Sequence, residues 1–440
     1  MKIYVFITIS ICAMMLLAGC IQNNDKDGKD DNTPPKDTTP PWNLTISINE
    51  GANYTMDRKV DLYVSAKDDT FVSNVSFSND GLTWSEWEPM LGPKTWNLTQ
   101  GDGGKTVMFK AKDRAGNENR SKNATIILDT VVPAVISSNP VIGAKDVPFD
   151  NNTITITFSE TIQRNANSCP FGLGAADNPG EMMSKNKRYI GTNKVECTFS
   201  EDLLPAVIYR VRLNNYDDIT DLAGNMVKPQ NWTFTTRDAK LEVITKTVFS
   251  PPGAGSTFVM GEIKNSDTFS FVNVHIDLEF FNATHKSLFK MENNFQLEKT
   301  FILIQPGEVW PFIIITADKD GLIKDADVVV GKNSEKFMRW TTKVPYTKVL
   351  PESDSGTLYT TPNVEYIVTG DVKNTGDKTT TALVVVCKFY DQSNNLVWVG
   401  TQDKASLGTG MTDAFQIKVQ TSMTDPAKIS KYTLKIYAES

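Results

Sequence analysis
From Trp42 to the C-terminus, apolar side chains recur at alternate positions rather than at helical spacing. Val60, Leu62, Val64 and Ala66 alternate with polar residues, as do Val75 with Phe77, and Val107 with Phe109 and Ala111. A period of two puts one row of side chains on each face of a strand, so these stretches predict half-buried antiparallel strands. Between them lie turn formers: Asn79-Asp80-Gly81, Gly101-Asp102-Gly103-Gly104 and Ala115-Gly116-Asn117. Ile154, Ile156 and Phe158 continue the pattern, then Tyr209, Val211 and Leu213, and finally Tyr432, Leu434, Ile436 and Ala438. The expected fold class is all-β, a tandem of antiparallel immunoglobulin-like β-sandwiches.

Two N-terminal stretches break this pattern. Met1-Lys2 is followed by the almost unbroken apolar run Ile3 to Leu17. That is the length of a signal h-region and short of the ~20 residues of a bilayer span. Gln22 to Pro41 is rich in Asp, Lys, Pro and Thr and has no apolar residue to bury, which predicts an extended, solvated tether. Asp25-Lys26-Asp27-Gly28 within it lacks the rest of a twelve-residue calcium loop and reads as spacer.

An internal repeat organises the C-terminal half. Gly261-Glu262-Ile263-Lys264-Asn265 matches Gly370-Asp371-Val372-Lys373-Asn374 at a shift of 109, and the same shift carries Val274, Ile276, Leu278 and Phe280-Phe281 onto Leu383, Val385, Cys387 and Phe389-Tyr390. Pro306-Gly307 and Phe312 match Thr409-Gly410 and Phe415 at a shift of 103, so one loop differs by six residues. Two copies of one sandwich is the economical reading. The expected organisation is a signal peptide over 1–19, a disordered linker over 20–41, and sandwiches over 42–131, 132–238, 239–338 and 339–440.

Several strings carry resemblances. Leu17-Ala18-Gly19-Cys20 resembles the prokaryotic lipobox, which implies that the Cys20 thiol is diacylglycerylated and becomes the mature N-terminus; an ordinary signal peptide with an incidental Cys is the alternative. Two acyl chains hold a protein at a membrane far more durably than one. The run from Ser78 to Pro89, followed by Trp96 to Asn117, resembles Ig-like modules of prokaryotic surface proteins. Ser137-Ser138-Asn139-Pro140, Val147-Pro148, Ile154 to Glu160, Asp221 to Asn225 and Phe234-Thr235-Thr236 resemble the SbsA-type Ig-like domain of S-layer proteins. The repeated Gly-x-x-x-Asn strand, aromatic strand end and later turn are similar to FxLYD-type domains of surface lipoproteins.

Composition narrows the function. The net charge of −7 and the lack of a basic stripe argue against nucleic acid as a partner. After Cys20 the thiols are Cys169, Cys197 and Cys387, too few for a disulfide-stapled scaffold. Two histidines, His275 and His285, offer little for metal sites or triads. Gly103-Gly104-Lys105-Thr106 echoes a P-loop, but Thr99 stands where the first Gly belongs and a strand pattern follows. Gly253-Ala254-Gly255-Ser256 does not place Ser in a nucleophile elbow, and Asp354-Ser355-Gly356 has no nearby His. No cofactor and no catalytic group is expected.

The candidate sites are few. Nine Asn-x-Ser/Thr sequons occur after Cys20: Asn43, Asn53, Asn74, Asn97, Asn119, Asn123, Asn151, Asn231 and Asn282. A lipobox together with N-glycosylation suggests an archaeal cell surface; the alternative is that an Asn- and Thr-rich β protein produces sequons by chance. Cys169 and Cys197 fall in one domain, as a disulfide or as two separate thiols; Cys387 takes the place of Leu278 in the repeat and reads as a core hydrophobe. Trp84, Trp87 and Trp96 cluster; in an unbroken strand Trp84 and Trp87 face opposite sides, one in the core and one free to stack on a sugar, while core or hairpin packing of these rings is the favoured reading. Asp217, Asp218, Asp221 and Asn225 offer oxygens to Ca²⁺, or simply support a tight turn. The expected protein is a non-catalytic, lipid-anchored module on the extracytoplasmic membrane face, serving envelope structure or adhesion through other envelope proteins or surface glycans. The alternative is a carbohydrate- or ligand-binding accessory to a transporter or secreted hydrolase.

Overall fold
A computed structural model describes residues 35–120, 123–163, 169–177, 180, 182–213, 219–294, 303–330, 339–341, 345–420 and 424–440. Cys20, Asp217, Asp218 and most of the expected tether lie outside the described residues. The chain divides into two compact units after Leu128. Among the described residues, regular structure is strand throughout except for the short 3-10 turns Asn49–Gly51 and Pro426–Lys428.

In the first unit a sheet of Trp42–Ile48, Lys59–Lys67 and Lys94–Asn97 faces a second one. The second orders Tyr54–Thr55, Ala124–Leu128, Gly103–Asp113, Val72–Ser78 and Glu88–Pro89, with Glu118–Arg120 beside it. The alternating rows close on one another: Val60 and Leu62 meet Phe77, Val107, Phe109 and Ala111 in a single core. The end of the expected tether is not solvated chain. Asn117 Nδ2 donates to the Asp37 carbonyl at 3.1 Å, Asn119 Nδ2 to the Pro41 carbonyl at 2.7 Å, and Pro41 is buried. Backbone carbonyls supply a docking handle that side-chain composition does not show.

The second unit holds three sandwiches. Residues 129–236 pair Val135–Asn139, Thr153–Phe158, Lys194–Phe199 and Ser184–Ile190 in one sheet and Phe171–Ala175, Ile208–Leu213 and Gln230–Thr235 in the other. The two that follow share one strand order. Leu241–Phe249, Ser256–Asn265 and Val309–Ala317 form a sheet, as do Val349–Tyr359, Glu365–Asn374 and Thr412–Gln420. Opposite them stand Ser287–Asn294, Ile276–Phe281 and Asp325–Val330, and in turn Leu396–Lys404, Ala382–Tyr390 and Lys431–Glu439. The third sandwich adds the short pair Ser270–Val272 and Arg339–Thr341.

The Gly-x-x-x-Asn string is explained at both ends. Asn265 and Asn374 are fully buried, and each Nδ2 donates to two carbonyls: those of Phe269 and Ile304, and those of Lys378 and Leu407. Gly261 and Gly370 lie under the rings of Phe312 and Phe415, where no side chain fits.

These sandwiches are fused rather than strung. Central strands Ser256–Asn265 and Ala382–Tyr390 are largely buried on both faces, so their outer rows carry apolar side chains too, among them Phe258, Met260, Val384 and Val386. Val384, Val386, Tyr390 and Tyr437 extend one core that also holds Trp310, Phe271 and the interior of the 129–236 sandwich. Arg237 is held against Asp267 by two bonds of 2.6 and 3.0 Å while its guanidinium lies 4.1 Å from the Phe149 ring centre, and Trp340 Nε1 donates to the Leu203 carbonyl at 2.9 Å.

Candidate functional site
The most chemically distinctive surface of the first unit lies on the outer face of strand Gly103–Asp113. Because Phe109, Ala111 and Asp113 point inward, Lys110 and Lys112 share the outer face. A loop leaves Ser78 and is folded by Asp80, whose Oδ1 accepts from the backbone N–H of Thr83 at 2.7 Å and of Leu82 at 2.8 Å and from Ser78 Oγ at 2.9 Å. Those bonds, from Thr83 above all, hold the Asp80 carboxyl down at about 2. The loop lays both Trp84 and Trp87 over the lysines: Lys110 Nζ sits 5.1 and 4.5 Å from their ring centres, Lys112 Nζ 4.3 Å from Trp87, and the Arg120 guanidinium 5.3 Å from Trp84.

The condition for Trp84 and Trp87 to divide between core and surface, an unbroken strand, is not met. No strand runs through them, so period two does not apply; both are half-buried beside one ammonium. Trp96 is the one that lines the core, 5.8 Å from Phe77, with its Nε1 donating to Asn79 Oδ1 at 2.8 Å. Rings capped by cations are poor platforms for a neutral sugar, and the same cations suit an anionic one. The sequence signal for Lys110, Lys112 and Arg120 was spacing: positions two apart on one strand, and a residue in register across from them.

Of the sequon asparagines, Asn43, Asn53, Asn97, Asn119, Asn123 and Asn231 are exposed, while Asn74, Asn151 and Asn282 are half-buried. Asn119 already uses its Nδ2 on the Pro41 carbonyl, and Asn282 Oδ1 folds its own loop by accepting from the N–H of Thr284 and of Lys286. Cys169 and Cys197 are joined as a disulfide across 28 residues, and Cys387 is a free, buried thiol that burial pushes up in pKa. Lys105 of the P-loop echo is a buried strand residue whose Nζ donates to the Gln100 carbonyl. His275 is buried, which lowers its pKa, and His285 stacks on Phe281 at 4.4 Å.

The two Asp-x-Ala-Gly-Asn strings fold alike. Gly116 (φ 92°) and Gly224 (φ 98°) take the left-handed conformation, and Asp113 and Asp221 each accept from the N–H and the Nδ2 of the closing Asn. Around these turns gather acidic residues that the sequence reading missed: Asp37 and Asp68 beside Asp113, and Asp129 and Glu160 beside Asp221.

Residues 129–236 match the bacterial Ig-like domain family. Comparison with curated proteins finds no match. Among solved structures, the chain is similar to the fibronectin(III)-like modules of Clostridium thermocellum CbhA at 16% identity, covering 45% of this chain and 97% of that one, with a TM-score of 0.26. The N-terminal part of the bacterial S-layer protein SbsC is similar at 15% identity over 45% of this chain and 44% of that one, with a TM-score of 0.21. PcoC, a methionine-rich copper resistance protein from Escherichia coli, is similar at 19% identity over 24% of this chain and all of that one, with a TM-score of 0.20.

Proposed function
We propose that this chain is a non-catalytic, lipid-anchored module of the extracytoplasmic cell surface, held by Cys20 and serving as an envelope or adhesion element. The observation that carries the reading is where buried polar side chains are spent. Asn265, Asn374, Thr236 and Thr380 are all buried, and each bonds backbone groups of neighbouring strands and turns instead of facing a cleft. That is the chemistry of a scaffold. The fused sandwiches of the second unit and the family match at 129–236 support the same reading, and the lipobox resemblance supports the address. Partners are then other envelope proteins or surface glycans, and Asn43, Asn53, Asn97, Asn123 and Asn231, exposed and without the tie that holds Asn119, are the glycan sites of an archaeal cell surface. The test is fractionation of cells expressing the wild type and Cys20→Ala: the variant should leave the membrane fraction, and its retention there would count against the anchor. Intact mass of the native protein reports the glycans.

A second reading, an accessory that binds carbohydrate, is favoured by the Trp84–Lys110–Trp87–Lys112 surface. Its cations select acidic glycans. On an array of acidic and neutral glycans, binding confined to acidic ones and lost in Trp87→Ala would support it; no glycan signal would leave the scaffold reading alone.

A further inference from the structure
We propose that the outer face of the sheet Val349–Tyr359, Glu365–Asn374 and Thr412–Gln420 binds a neutral oligosaccharide. An open groove of about 670 Å³ lies against this sheet, within the size range of ligand sites. Among the described residues that line it there is no Lys or Arg. Such a site deepens the surface-glycan part of the reading above and rests on it; it shares no residue with the tryptophan surface of the first unit.

Strand register arranges the lining as two rungs. Ser353 stands opposite Asp371 and Asp371 opposite Ala414; Ser355 stands opposite Thr369 and Thr369 opposite Gln416. Neighbouring strands are about 4.8 Å apart, and the rungs about 7 Å apart along them. In the first rung Ser353 Oγ donates to Asp371 Oδ2 at 2.9 Å, which leaves the hydroxyl lone pairs and the second carboxylate oxygen as neighbouring acceptors. Asp354, also in the lining, already accepts from the Tyr432 hydroxyl at 2.5 Å. In the second rung the Ser355 and Thr369 hydroxyls lie 3.4 Å apart, beside the Gln416 carboxamide. Gln402 Oε1 accepts from the Gln416 backbone N–H at 2.6 Å, so its amide N–H groups remain as donors. A sugar hydroxyl both donates and accepts, and so satisfies both sets. An anion would meet Asp371 with no cation to offset it, and an apolar ligand would strip water from every one of these groups.

The repeat shows that the fold itself does not require these residues. At the shifts of 109 and 103, Met260, Glu262 and Ile313 of the third sandwich correspond to Thr369, Asp371 and Gln416. Met260 is buried, Ile313 packs against the apolar cores, and Glu262 is held by Lys388 and Tyr390 of the fourth sandwich. On the fourth sandwich the same face is open, and a hydroxyl and an amide replace the two apolar side chains. Ordinary solvent faces are rich in Lys and Glu; short, uncharged hydrogen-bonding groups around a groove suit a sugar.

The test is calorimetry of the full chain in a sugar-free detergent, with maltohexaose, cellohexaose and mannohexaose as probes. At least one should give saturable heat at one site per chain, with Kd of about 1 mM, unchanged by high salt because the ligand is neutral. So weak a site is washed clean on an array, but many anchored copies on one surface bind by avidity. Thr369→Met with Gln416→Ile installs the residues that the third sandwich carries and should abolish the heat. Should that pair fail to fold, Asp371→Ala should weaken binding about tenfold or more. The heat needs no anchor, so its absence is separate from any outcome of the Cys20→Ala fractionation. No saturable heat from any of the three sugars, full affinity in the variants, binding that salt removes, or a wild-type dimer that Asp371→Ala dissolves would overturn the proposal.

Discussion
The Tyr390 hydroxyl donates to Oε1 of Glu262 at 3.0 Å, joining sandwiches through residues 128 apart in the chain. Lys388 Nζ reaches the same oxygen at 3.0 Å. Burial alone would lower the Lys388 pKa; its bonds to Tyr390 and Glu262 more than offset that and raise it. Glu262→Ala leaves an ammonium and a hydroxyl unpaired at a covered interface and should cost about 3 kcal/mol. Urea unfolding checks it, and Glu262→Met with Lys388→Met should recover most of the loss. A change below about 0.5 kcal/mol would mean that the interface is wet and loose.

Gly261 and Gly370 test the repeat in atomic terms. A Cβ on Gly261 would stand 2.0 Å from the Thr245 carbonyl oxygen and 2.8 Å from the Phe312 ring; on Gly370, 2.1 Å from that of Ser353 and 2.8 Å from Phe415. In each case the closest atom is backbone, which moves only with its strand. Either Gly→Ala substitution should cost about 3 kcal/mol in the urea unfolding free energy. Gly104→Ala, with no atom within 4 Å of its Cβ, should cost nothing measurable.

The alternation was legible where a strand has one wet face. Val60, Leu62, Val107, Phe109, Ile154, Ile156 and Phe158 are all in cores. The shift of 109 carries Ser256–Asn265 onto Glu365–Asn374, strands that hold the same place in their sheets. What stayed hidden depends on closure in three dimensions. Val384 and Val386 read as ordinary strand residues, yet they face a neighbouring sandwich, because interface and interior demand the same apolar side chains. Asp68 gave no sign of Asp113, 45 residues on, since only the folded sandwich brings strand end and turn together. Trp84 and Trp87 escape the strand period because three hydrogen bonds to one carboxylate oxygen fold the segment before them into a loop.

The Cys169–Cys197 bridge spans 28 residues of sequence and starts at the inward-facing Cys197 of strand Lys194–Phe199. In the chain-entropy picture a loop of that size stabilises the fold by about 3–4 kcal/mol. Cys169→Ala with Cys197→Ala should lower the unfolding free energy by that amount. Wild type alone should change mobility on reduction, and identical mobility would mean that the thiols are free.

The bond between Arg237 and Asp267 makes a pH prediction with a definite sign. Asp267 is buried, which by itself raises its pKa. The Arg237 hydrogen bonds, then the N–H groups of Lys240 and Thr268, more than reverse this and hold it at about 2, below its ordinary 3.8. A carboxyl lower in the folded than in the unfolded chain stabilises the fold above the unfolded value. That contribution disappears as the pH falls from about 4 through 2, because both states are then protonated. It amounts to about 2 kcal/mol at neutral pH. Asp267→Asn should therefore be less stable than wild type by about that much at pH 7, with the gap closing between pH 4 and 2. Unfolding free energies at pH 7, 4, 3 and 2 decide the matter: a gap that stays constant below pH 4 would show that the Arg237 contact is geometric, and that the charge on Asp267 contributes nothing.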